Sequence, residues 1–250
     1  MANATFNAGI DYFGLETATT NALKVKSSAE NRSKKSSSGA NSYGDITVVD
    51  SFGDTAAPSA EYEVIAALAS ASFPVLGTCA TVASLANPVV LGTVTINTSN
   101  GAAPTVSASG SMVQSGAATL REYTLPTFSL TARHRAQDFL AAVDIKIGES
   151  TASGVTDYGL ESVSATFPIE ITLAQPKGVV ANYDIHGGTA TASYTMNWYA
   201  STAPTIVLTA AAAAAGYTIS SPVTKADPEG GYTQYTWTVS LPMTGEEASV

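Results

Sequence analysis

From Val163 to Leu173 every odd position is apolar: Val163, Ala165, Phe167, Ile169, Ile171 and Leu173. The even positions between them carry Ser164, Thr166, Pro168, Glu170 and Thr172. Successive side chains on an extended chain point to opposite faces, so this spacing predicts a strand with one dry and one wet face. Gln175-Pro176-Lys177-Gly178 then supplies the Pro and Gly of a reversing turn. Alternation resumes after Gly187-Gly188. Ala190, Ala192, Tyr194, Met196 and Trp198 face one way, and Thr189, Thr191, Ser193, Thr195 and Asn197 the other. Apolar spacings of three and four, which a helix needs, do not occur here. The pattern is that of a sheet protein.

The same period recurs elsewhere. Leu91–Asn97 reads as a strand with Val94 and Ile96 on one face, closed by the turn Thr98-Ser99-Asn100-Gly101 and followed by a return over Thr105–Val113. Tyr123–Ala132, Ala141–Ile147 and Tyr235–Leu241 alternate as well, with a helical turn expected between Arg133 and Phe139. Pro58–Leu68 fits either a short helix or a strand, and Met1–Leu15 an arm or a first edge strand. Ala210–Ala215, stopped by Gly216, predicts a helix that is apolar all round and needs covering on most sides. Several short strands, one Ala-rich helix and no βαβ rhythm predict a mainly β, antiparallel sandwich or barrel.

One segment departs from this pattern. Lys24, Lys26, Arg32, Lys34 and Lys35 lie among Ser27, Ser28, Ser33 and Ser36–Ser38, before the chain returns through Ile46-Thr47-Val48-Val49. It reads as a long β-hairpin with a polar, basic tip, residues 20–50; a solvated loop is the plainer alternative.

Composition narrows the function classes. The 250 residues carry a net charge of −9, with only 12% charged side chains. That argues against duplex binding by the whole surface, since affinity for phosphates needs neutralising cations. Abundant Ser and Thr suit a surface that copies of the chain cover, because short side chains lose little entropy when ordered. They equally suit a Thr-rich sandwich. Cys79 is alone, so no internal disulfide is expected, and its uncharged neighbours suggest a buried small hydrophobe. Met1–Ile10 lacks the pattern of a signal peptide and no stretch is long and apolar enough for a membrane helix, so a soluble chain made in a cytoplasm is expected.

Candidate chemistry is sparse. His134 sits between Arg133 and Arg135, a cationic setting unsuited to a metal ligand or general base. His186 follows Asp184 at strand spacing, but no nucleophile is singled out to complete a triad. Asp45, Asp50 and Asp54 lack the remaining ligands of a calcium loop. Tyr194, Trp198, Tyr199, Tyr232, Tyr235 and Trp237 read either as a partner platform or, by parity, as core. No catalytic, cofactor or metal site is expected, and the chain reads as a non-enzyme.

Taken together, Phe13-Gly14-Leu15, the Ser/Lys excursion returning through Gly44-Asp45-Ile46-Thr47-Val48-Val49-Asp50, the Thr98–Gly101 turn and the strand Pro104–Gly110 resemble the tail tube proteins of bacteriophages. The likeness covers Ile10 to Trp198 and lies in pattern. It implies a β domain over residues 1–200 and an added helix with strands over 201–250, packed on the same sandwich. By the same likeness, copies form rings, usually hexamers, that stack into a tube, with Lys24, Lys26, Arg32, Lys34 and Lys35 at the contact between subunits. Implied partners are the chain itself, other tail proteins and DNA as passing cargo, with no membrane, and the implied location is the virion tail. An acidic lining suits such a conduit because it repels phosphates. The alternatives are a head decoration or minor capsid protein, a Thr-rich module gripping glycans, and a hydrolase built around His186.

Overall fold

The computed structural model describes residues 9–40, 43, 46–80, 88–113, 121–132, 136–142, 145–147, 160–174, 182–185, 190–200, 206–208, 210–221, 223–226, 233–243 and 245–247. The chain is mainly β. In chain order the strands begin with β1 (Leu23–Ala40), β2 (Ile46–Val64), β3 (Leu68–Ala69), β4 (Cys79–Ala80), β5 (Val89–Ser99) and β6 (Ala102–Met112). Next come β7 (Arg121–Tyr123), β8 (Ser129–Leu130), β9 (Ile145–Ile147), β10 (Leu160–Pro168), β11 (Ile171–Ala174) and β12 (Asn182–Ile185). The last are β13 (Ala190–Ala200), β14 (Ile206–Leu208), β15 (Thr218–Ile219), β16 (Val223–Ala226), β17 (Thr233–Met243) and β18 (Gly245–Glu247). Three short α-helices, α1 (Leu15–Ala18), α2 (Ala136–Ala142) and α3 (Ala210–Ala214), and a 3-10 turn at Ser70–Ser72 complete the described elements.

A ten-stranded antiparallel sheet runs β1-β2-β6-β5-β10-β13-β17-β15, with β16 also on β17 and β4 on β5. It is open, with β1 at one end and β15 and β16 at the other, so of the two expected forms, sandwich or barrel, this sheet does not close into the barrel among the described residues. Period two governs its faces. One cross-strand row reads Val25, Tyr62, Val106, Ile96, Ala165, Tyr194, Val239 and Ile219, and its six inner members are fully buried. The neighbouring row reads Glu61, Ser107, Thr95, Thr166, Ser193, Ser240 and Thr218, polar throughout.

Among the described residues, the dry face is covered by α2 and by the segments around Phe73 and Phe128, which the short β3–β8 pair joins. Phe128 stacks on Phe167 of β10 with ring centroids 6.2 Å apart, and meets Phe73 and Phe139 at 5.6 and 6.3 Å. Phe139 and Leu140 bring the buried side of α2 into the same cluster.

Several expected elements move. The strand expected over Val163–Leu173 divides after Pro168: Ile169 stays buried, but β11 pairs with β12 in a separate ribbon. Proline has no N–H to continue a ladder. Tyr123–Ala132 likewise splits into β7 and β8 around Pro126. Ala141 and Ala142 extend α2, and the described part of the strand expected over Ala141–Ile147 is β9, Ile145–Ile147. Pro58–Val64 is strand, Gly9–Gly14 leads into α1, and Cys79 is half-buried in β4. The alanine helix forms and ends at Gly216, whose φ of 88° is left-handed as a helix stop requires. Ala210, Ala213 and Ala214 are nevertheless exposed, against the expected covering. The Gln175–Gly178 turn lies outside the described residues.

Candidate assembly surface

β1 and β2, of 18 and 19 residues, pair from Leu23↔Val64 to Ala40↔Ile46 as one hairpin. β6 joins β2 only over Ser59–Glu63. From Pro58 outward, among the described residues, the ribbon has two strands and no third. At strand rise, the eleven residues from Glu30 to Ala40 reach roughly 35 Å beyond that sheet. Register irregularities at Val25/Ser27, Ser33/Lys35 and Gly39/Ala40 break the ladder, and such bulges increase twist.

The cations do not cluster at the tip. The strands are joined by residues 41–45, where Tyr43 is 90% exposed, and all five cations lie in β1. Lys24 and Lys26 occupy the root. Lys26 Nζ lies 2.9 Å from Glu61 Oε1, and that hydrogen bond holds its pKa above the ordinary lysine value. Lys24 Nζ lies 3.4 Å from Glu16 Oε2. Arg32 stands opposite Ala56, Lys35 opposite Phe52, and Lys34 sits in the irregularity between Ser33 and Lys35. The five expected contact residues therefore fall into a root pair engaged within the chain and an outer trio on the ribbon.

The root is anchored by residues that sequence reasoning did not single out. Asp11 Oδ1 accepts from the Leu15 N–H at 3.1 Å and the Tyr62 hydroxyl at 2.7 Å, and Oδ2 accepts from the Glu16 N–H at 2.9 Å. Tyr62 is buried, and burial first, then its bond to Asp11, raises its pKa above the ordinary tyrosine value. Glu16 Oε1 accepts from the Val25 N–H at 2.7 Å. The available signal was an acidic residue just ahead of Leu15-Glu16, the usual way to satisfy the free N–H groups of a helix start. Its distant partner Tyr62 has no local signal.

Beside Glu61, the small side chains of Ser27, Ser59, Ser107 and Ser109 leave a trough of about 330 Å³ on the polar face. Along that face hydroxyls and amides bond across strands: Ser164 Oγ donates to Asn97, Asn197 Nδ2 to Ser162, and Thr236 Oγ1 to Asn197. Tyr194, Trp198 and Trp237 belong to the core, Tyr199 and Tyr235 are half-buried, and Tyr232 is outside the described residues. His134, His186 and Asp45 also lie outside them, as do the side chains of Asp50 and Asp54. No group of three or more metal-ligating side chains forms among the described residues, and no described helix is long and apolar enough to cross a membrane. No protein-family model matches the chain, and no curated protein matches it.

Proposed function

We propose that this chain is a structural subunit that assembles with copies of itself into stacked rings, forming a tube of the phage-tail kind through which DNA passes. In this reading it is not an enzyme; its partners are its own copies and other tail proteins, and it resides in the virion. The observation that carries the reading is the ribbon beyond Pro58. A two-stranded hairpin standing alone is marginal in water, so a ribbon of this length suits a protein in which a neighbouring copy supplies the missing contacts.

Charge supports the same reading. Arg32, Lys34 and Lys35 lie on the part of the ribbon that reaches past the sheet, on a chain whose net charge is −9. A cationic ribbon on an acidic body favours contact between copies. Lys24 and Lys26 hold the ribbon's root instead. The trough beside Glu61 offers a hollow among small side chains for a neighbour's side chain, and the hydroxyl-rich face can be covered at low cost in side-chain entropy. Negative-stain micrographs of the purified chain test the proposal: rings or tubes are expected. With Lys34→Glu and Lys35→Glu together, rings should remain while stacking fails. Tubes of normal length from that variant would remove the ribbon's role, and a chain that stays single at millimolar concentration would overturn the assembly.

A further inference from the structure

The two ends of the ten-stranded sheet are treated differently. At the β16 end Val223 is 70% exposed, and at the adjoining β15 Ile219 is 37% exposed. At the β1 end the root of the edge strand is occupied by the chain's own beginning. An edge strand turns every other N–H away from its partner, and such a donor invites another strand. The Val25 N–H is one of these, and Glu16 Oε1 takes it at 2.7 Å. Glu16 is held in place in turn: its own N–H is bound by Asp11, and Lys24 lies against its other oxygen. Three residues along, the Ile10 N–H donates to Ser28 Oγ at 2.7 Å. Gly9 lies so close to the edge that a Cβ there would fall 2.7 Å from Val25 Cγ1 and 2.8 Å from Ser28 Oγ.

We propose that Gly9, Ile10 and α1 form an edge guard, in which the Glu16 carboxylate occupies the outward donor of β1 and prevents a second copy from adding a strand at the root. A carboxylate suits this role because its charge-assisted bond outcompetes the neutral carbonyl that an incoming strand would offer. Strand addition at β1 is thereby kept away from Lys24–Ser28. The guard does not depend on the tube reading: a sealed edge limits sheet extension whatever the protein builds.

The test uses the full chain with Glu16→Ala, Glu16→Gln and Gly9→Val, each followed by amide hydrogen exchange and sedimentation velocity. Glu16→Ala should speed exchange at Val25 in dilute protein. It should tighten self-association about tenfold or more, the worth of one charge-assisted hydrogen bond. Glu16→Gln keeps an acceptor for the Val25 N–H but not its charge, and should fall between Glu16→Ala and the parent chain in both readouts. Gly9→Val, which lifts the arm without altering α1, should also associate more tightly and decides the matter if Glu16→Ala does not fold. Parent-like exchange in Glu16→Ala, or association no tighter than the parent in the folded variants, would overturn the guard. Micrographs of the parent chain judge the tube separately, because the guard is read only from differences between variant and parent.

Discussion

Tyr62 spans two environments: its ring lies in the fully buried cross-strand row and its hydroxyl binds Asp11 at 2.7 Å. Replacing it with Phe keeps the ring and removes the donor, leaving Asp11 its two backbone N–H groups. The expected cost is about 2 kcal/mol, read as a lower urea midpoint at unchanged slope. The same hydroxyl gives a pH dependence. Burial raises the pKa of Tyr62, and burial followed by the neighbouring Tyr217 raises that of Tyr194. Both hydroxyls are therefore more easily ionised in the unfolded chain. The stability from their neutral forms is complete below the ordinary tyrosine value of about 10 and falls as pH rises above it. In an alkaline titration followed by phenolate absorbance, these two should ionise only as the sheet unfolds. Early ionisation of every tyrosine before any loss of β signal would contradict this. At this scale parity was legible: Ala165, Phe167, Ala192, Tyr194 and Met196 are all buried as alternation required. The Asp11–Tyr62 bond was not, because it joins positions 51 residues apart.

Among the elements, the β5–β6 hairpin does more than reverse the chain. Its Asn100 side chain donates to the Leu160 carbonyl at the start of β10 and accepts from the Ala136 N–H at 3.3 Å, where α2 begins. One turn residue thus ties the sheet to the helix covering its dry face. Asn100→Ala keeps the backbone bond to the Glu161 carbonyl but frees the α2 start. A loss of about 1–2 kcal/mol is expected, with faster amide exchange in α2 than in β5. Equal exchange in both would show that α2 is held by Phe139 and Leu140 alone. Asn-Gly announced the hairpin in the sequence, but not this second task. Where elements were misread, a local rule met a tertiary one. Alternation through Pro168 kept Ile169 on the dry side, yet the missing donor let the chain leave the sheet. Alanine propensity placed α3 correctly, while its side chains, too small to bury much area, leave it on the surface.

At the scale of the molecule, the ribbon beyond Pro58 is the part of the ten-stranded sheet that no third described strand joins. Its existence was legible as a polar, basic excursion returning through apolar residues. The register that places Lys24 and Lys26 at its root was not, since pairing depends on Glu16 and Glu61 meeting them in space. That division makes a clean experiment possible. Residues 34–54 can be replaced by Asn-Gly, joining the paired positions Ser33 and Thr55 through a two-residue turn. The cut removes Lys34 and Lys35 but leaves the root ion pairs, the Asp11 anchor and the buried Ala56 untouched. No other described strand pairs with the removed segment, so the β signal and thermal midpoint of the remaining sheet should hardly change. Stacking should disappear, and added salt should not restore it, because the missing element is a strand pair and not only a charge. A shortened chain that melts far below the parent would place the ribbon inside the fold's own stability, and one that still forms tubes would place the contact between copies elsewhere on the sheet.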